Sequence, residues 1–72
     1  MSNRKPLLQA DTAAVLAFLR EYTKRNHGMA PTIREMADGC FIAASQIGRH
    51  LDVLEAHGII HRERGRARGI WL

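Results

Sequence analysis

The sequence predicts a mainly α-helical domain, three helices finished by a small β-hairpin, and three observations carry that expectation. Apolar residues recur at helical spacing in two stretches, from Val15 to Tyr22 and from Ile47 to Leu54. Thr32 and Glu35 stand three apart directly after Pro31, the arrangement that opens a helix. After Gly58 the periodicity shortens to two strand-like runs around a glycine-containing turn. The 72 residues suffice for one such domain. A chain of this size buries only about 60% of its unfolded-state surface, so all elements must share one modest core.

Residues 1–10 read as a flexible basic N-terminal arm, with Pro6 opposing an early helix, and 11–72 as the folded domain. Asp11 or Thr12 can cap the first helix. Val15, Leu16, Phe18, Leu19 and Tyr22 then give a broad apolar stripe, with Arg20, Lys24 and Arg25 on the polar side. Asn26-His27-Gly28 ends it, Gly28 being the C-terminal signal. Pro31 pushes Ala30 toward an extended conformation, and Thr32-Ile33-Arg34-Glu35 fits the capping box of a second helix. Ile33, Met36 and Ala37 should face inward, and Gly39 should end this helix within two turns. Cys40-Phe41-Ile42-Ala43-Ala44 is the turn onward, with Cys40 and Phe41 or Ile42 plugging the corner.

The third helix, Ser45–Gly58, has two tasks. Ile47, Leu51 and Leu54 fall on one side, while Gln46 and Arg49, three apart, share an outward face. Ser45 is expected at the N-cap and Gly58 just past the end. Beyond it, Ile59–Arg62 and Ala67–Leu72 read as strands about a turn at Gly65. Ile60, Ile70 and Leu72 should seal the open side of the helices, Trp71 should anchor at least partly in the core, and the arginines remain on the rim. Three helices and a hairpin, with a short turn between the second and third helix, make a winged helix-turn-helix.

Charge narrows the partner. Lys and Arg number 11 against 7 Asp and Glu, a formal +4, and nine of the cations are arginine. Arg62, Arg64, Arg66 and Arg68 alternate around the glycine turn, a pattern suited to a polyanion. No apolar run is long enough for a membrane span and none has signal-peptide form. Cys40 is the only cysteine; it has no disulfide partner and reads as a small buried hydrophobe rather than a metal ligand. The expectation is therefore a cytoplasmic protein that requires no cofactor or metal. An enzyme is not indicated either: His27, His50, His57 and His61 show no nucleophile spacing, and no phosphate-cradling glycine loop precedes a helix.

Several blocks, in order, carry a family likeness: Gly28-Met29-Ala30-Pro31-Thr32, Arg34-Glu35-Met36-Ala37, Arg49-His50-Leu51 with Leu54-Glu55, Gly58-Ile59-Ile60, and Gly65 through Ile70. Together they resemble the N-terminal DNA-binding domain of LexA-type SOS repressors. The resemblance implies a transcriptional repressor with its third helix in the major groove and its wing on the backbone. It also implies base contact from Ser45, Gln46 and Arg49. In such repressors a self-cleaving Ser/Lys domain follows; the serines here are Ser2 and Ser45 and the lysines Lys5 and Lys24, so self-cleavage is not implied. Gly48 and Arg49 stand where the best-known repressors carry acidic residues, so the operator is expected to differ.

Residue chemistry points the same way. Gln46 suits a bidentate contact to adenine and Arg49 one to guanine, and Gly48 between them permits close approach. Thr32 and Arg34, at the start of the second helix, suit a phosphate, as do Arg64, Arg66 and Arg68 on the wing. The expected partner is double-stranded DNA, with a homodimer on a palindromic site and neither a membrane nor a small-molecule substrate. The alternative is a winged-helix protein–protein interaction module, which would place apolar residues on the face that carries Gln46 and Arg49.

Overall fold

In the computed structural model, which describes residues 8–72, the chain runs α1 (Ala10–Arg25), α2 (Ile33–Cys40), α3 (Ala44–Ala56), β1 (His61–Arg62) and β2 (Ile70–Trp71). The two strands pair antiparallel, His61 opposite Trp71 and Arg62 opposite Ile70, which completes a winged helix-turn-helix. Residues 1–7 of the expected arm lie outside the described residues. Leu8, just after them, is half-buried against the core.

α1 begins ahead of both expected caps, with Gln9 in the cap position and no side chain bonded there. Asp11 lies within the first turn, where its charge favours the helix dipole. Thr12 is buried, and its hydroxyl faces His50 Nδ1 on α3 at 2.8 Å, so it ties two helices together instead of capping one. Val15, Leu16 and Leu19 are buried as the stripe demanded. At the far end the left-handed turn starts at His27, φ 57, one residue before Gly28, φ 91; the Gly28 N–H donates to the Thr23 carbonyl at 2.8 Å.

The capping box of α2 is formed. The Glu35 N–H donates to the Thr32 hydroxyl at 3.1 Å, and the Thr32 N–H donates to the Glu35 carboxylate at 2.8 Å. Met36 is fully buried and Ala37 partly so, but Ile33 is exposed, lining a cleft of about 190 Å³ under the wing with Leu51 and Ile70. Gly39 does not end the helix. A β-carbon there would collide with the Phe18 ring, so the glycine lets α1 and α2 close on each other. The helix runs on to Cys40, and Phe41 turns it off in the left-handed region at φ 58. Phe41 is 95% exposed; Cys40 and Ile42 fill the corner without it.

That closure leaves only Phe41, Ile42 and Ala43 between α2 and α3. Ala43 consequently takes the N-cap position, its carbonyl accepting from the N–H groups of Gln46 and Ile47, and Ser45 falls inside the first turn rather than at the cap. Ile47, Leu51 and Leu54 are no more than 1% exposed and are held by α1, α2 and the hairpin residues Ile60 and Ile70. Shortening Leu51 to alanine would cost about 2–5 kcal/mol by the usual cavity rule. Gly58, φ 73, ends α3 as expected: its N–H donates to Glu55 and that of Ile59 to Leu54, a Schellman pair.

Each strand is two residues long, shorter than the sequence suggested. The loop between them closes on itself, with Glu63 N–H donating to Gly69 at 2.8 Å, Gly69 N–H donating to Arg66 at 3.3 Å, and Gly65 at φ 84. Ile60 and Ile70 are buried, whereas Leu72, beyond the last ladder pair, is exposed. Strand alternation also turns Trp71 outward, 45% exposed beside the His61 ring.

Candidate nucleic-acid interface

A helix buried by Ile47, Leu51 and Leu54 must show its other side to solvent. Ser45, Gln46 and Arg49 are all exposed there, on α3. Gly48 lies among them, and a β-carbon built on it meets nothing within 4 Å, so no packing contact requires a glycine. Arg49 forms no ion pair among the described residues. Two other polar residues of α3 are engaged: His50 with Thr12, and Asp52 in an ion pair with Arg62.

The start of α2 offers a second set of groups. The capping box engages the Thr32 N–H as a donor and its hydroxyl oxygen as an acceptor, so this residue shapes the turn and keeps its O–H proton for a further acceptor. The N–H groups of Ile33 and Arg34 have no acceptor within the helix, as at any helix start. The Arg34 side chain is exposed and, among the described residues, unpaired with any carboxylate.

The wing's four arginines divide into two kinds. Arg62 turns inward: its side chain is 12% exposed and its guanidinium bonds Glu55 at 3.1 and 2.9 Å and also Asp52. Arg68 reaches across to α2, donating to both Glu35 oxygens at 2.8 and 3.2 Å, to the Ala30 carbonyl at 3.0 Å and to the Tyr22 hydroxyl at 3.2 Å. Arg64 and Arg66 stay outside. Arg64 comes no nearer than 3.9 Å to Glu55, and Arg66 lies 3.0 Å from Glu63 with both side chains at least half exposed. Surface pairs of that sort contribute little and exchange readily.

The electrostatics follow these partners. The Arg68 hydrogen bonds, then the Thr32 N–H, hold the Glu35 carboxyl at about 2, far below its ordinary 4.5. The same contact with Glu35, followed by that with Tyr22, raises Arg68. Burial pushes the Cys40 thiol up, away from reactivity. Glu35, Glu55, Asp52 and Tyr22 were not singled out as arginine partners from the sequence. Arg68 and Glu35 are separated by 33 positions, and no local spacing connects them.

Similarity to known proteins runs along most of the chain. A profile of the LexA DNA binding domain matches residues 5–69. The LexA repressor of Roseiflexus sp. (strain RS-1) is 39% identical over 64 residues, covering 88% of this chain. That of Geotalea uraniireducens (strain Rf4) is 41% identical over 59 residues, covering 81%. The chain spans 29% of the length of each of these relatives.

Proposed function

The chain belongs to the LexA DNA-binding domain family, and on that premise we propose that it is the sequence-reading module of a cytoplasmic transcriptional repressor of SOS type that binds double-stranded DNA. The observation that carries the reading is the polar front of α3: Gln46, Gly48 and Arg49 stand outward on a helix whose other side is fully buried. A helix of this kind fits the major groove. There Gln46 would read adenine and Arg49 guanine, each for about 1–3 kcal/mol of discrimination, with Ser45 alongside. Gly48 gives up about 1 kcal/mol of helix stability relative to alanine without any packing need, which makes sense if the base edges come close.

Phosphates would be met on both sides. Arg34 and the free amides opening α2 serve one backbone position, with Thr32 shaping that turn, and Arg64 and Arg66 on the wing serve others. A single domain with so few phosphate contacts binds modestly, and its affinity falls with salt at a slope set by their number. Two copies on a palindrome, with half-sites about 34–36 Å apart, would supply the affinity a repressor needs. Fluorescence anisotropy with duplex DNA across a salt series tests the reading. Binding that falls steeply and linearly with log salt supports it; no binding at low salt contradicts it.

A further inference from the structure

We infer that Arg68 and Glu35 form a positioning clamp that locks the wing to the start of α2, so that the two phosphate-facing parts of the surface are held as one rigid piece. Arg68, in this view, sets the geometry of its neighbours and does not itself take a phosphate. The inference rests on the DNA-binding reading above and adds a role that the charge pattern alone would misassign.

The Arg68 guanidinium donates to two carboxylate oxygens, a backbone carbonyl and a phenol oxygen, four acceptors drawn from α1, α2 and the segment joining them. The planar fork of arginine matches a carboxylate bidentately, which makes this contact both stronger and more directional than a single ion pair. Glu35 is equally occupied: it also accepts the Thr32 N–H at 2.8 Å and the Tyr22 hydroxyl at 3.1 Å. One carboxylate therefore closes the α2 cap, pins α1 through Tyr22 and holds the root of β2. Arg68 is 37% exposed, and a phosphate that drew it away would cost it up to four acceptors, whereas Arg64 and Arg66 each give up one carboxylate at most.

The consequence reaches both sides of α3. Gly69 and Ile70, next to Arg68, carry the return strand of the wing, and Ile33 and Arg34, next to Thr32, begin α2. With the clamp closed, Arg64 and Arg66 are held at a fixed offset from Arg34. With it open, the loop must find that offset anew in each encounter, at an entropic cost.

The test uses Glu35→Gln, Arg68→Met and the double variant, with Arg66→Met as a reference, in duplex binding across a salt series. Glutamine can still close the capping box, so Glu35→Gln removes the charge while keeping the turn. Long-range attraction alone makes Glu35→Gln bind DNA more tightly, since a negative charge leaves the surface. The clamp predicts the opposite sign, a loss of about fivefold, from charge-assisted bonds discounted for their exposure. It further predicts that Arg68→Met leaves the slope of log affinity against log salt unchanged, while Arg66→Met reduces it by about 0.9. The double variant should bind no worse than Arg68→Met alone. Tighter or unaltered binding by Glu35→Gln, or a shallower salt slope for Arg68→Met, overturns the proposal. Amide hydrogen exchange of Glu63 and Gly69 provides a readout that needs no DNA: both should exchange faster in Glu35→Gln, and unchanged exchange counts against the clamp. Wild-type chain that binds no duplex would refute the DNA reading and leave the exchange test standing.

Discussion

Arg62 on β1 and Glu55 on α3 hold each other through two hydrogen bonds, 3.1 and 2.9 Å long, across the junction of wing and helix. An arginine from the most basic stretch of the chain is thereby withdrawn from solvent and becomes part of the fold. Together with Arg68 on Glu35, it fastens the hairpin at β1 and at the end of the loop that leads into β2.

Arg62→Ala should therefore destabilise the domain by about 1–2 kcal/mol, less than a fully buried pair because Glu55 is one-third exposed. Arg64→Ala should change stability by less than about 0.5 kcal/mol, as for other surface positions. Urea unfolding of the two variants side by side checks the contrast.

Two helical glycines predict opposite signs. Gly48→Ala meets open space and should stabilise the domain by about 1 kcal/mol while impairing DNA binding. Gly39→Ala forces the Phe18 ring out of its seat and should destabilise by about 1–3 kcal/mol despite the better helix former. Thermal melts of both variants, with anisotropy for the first, decide the matter.

Acid should open the clamp late. Because the folded state holds Glu35 at about 2, against 4.5 ordinarily, its contribution is complete above about pH 4.5 and disappears as pH falls toward 2. Wild type and Glu35→Gln should thus differ in urea midpoint at pH 7, and the difference should shrink through pH 4 and vanish near pH 2. A gap that stays constant over that range would mean the carboxylate charge contributes nothing.

How far the sequence anticipated these features depends on the range of the interaction. The capping box at Thr32 and Glu35, the Gly58 closure and the Ile47-Leu51-Leu54 seam are set by residues within a turn or two of each other, and all were legible. Ser45 failed as a cap because the closure of α2 at Phe41 decides where α3 begins. Gly39 reads as a terminator in the sequence although its reason is a ring on another helix, and of the two candidates for the corner, Phe41 and Ile42, the left-handed turn throws Phe41 outward and leaves the place to Ile42. Of the candidate interface, the exposed Gln46 and Arg49 were readable from helical period alone. Which wing arginines are already taken was not, since that depends on carboxylates brought near only by folding.

The most direct test is to select duplexes from a random pool with the wild-type domain and then measure Arg49→Ala and Arg66→Ala against the winning site and its single-base variants. Arg49→Ala should lose about 1–3 kcal/mol of preference at one base pair, while Arg66→Ala should weaken every duplex by a similar factor. A pool that never enriches, or an Arg49→Ala domain with unaltered base preference, would contradict the account.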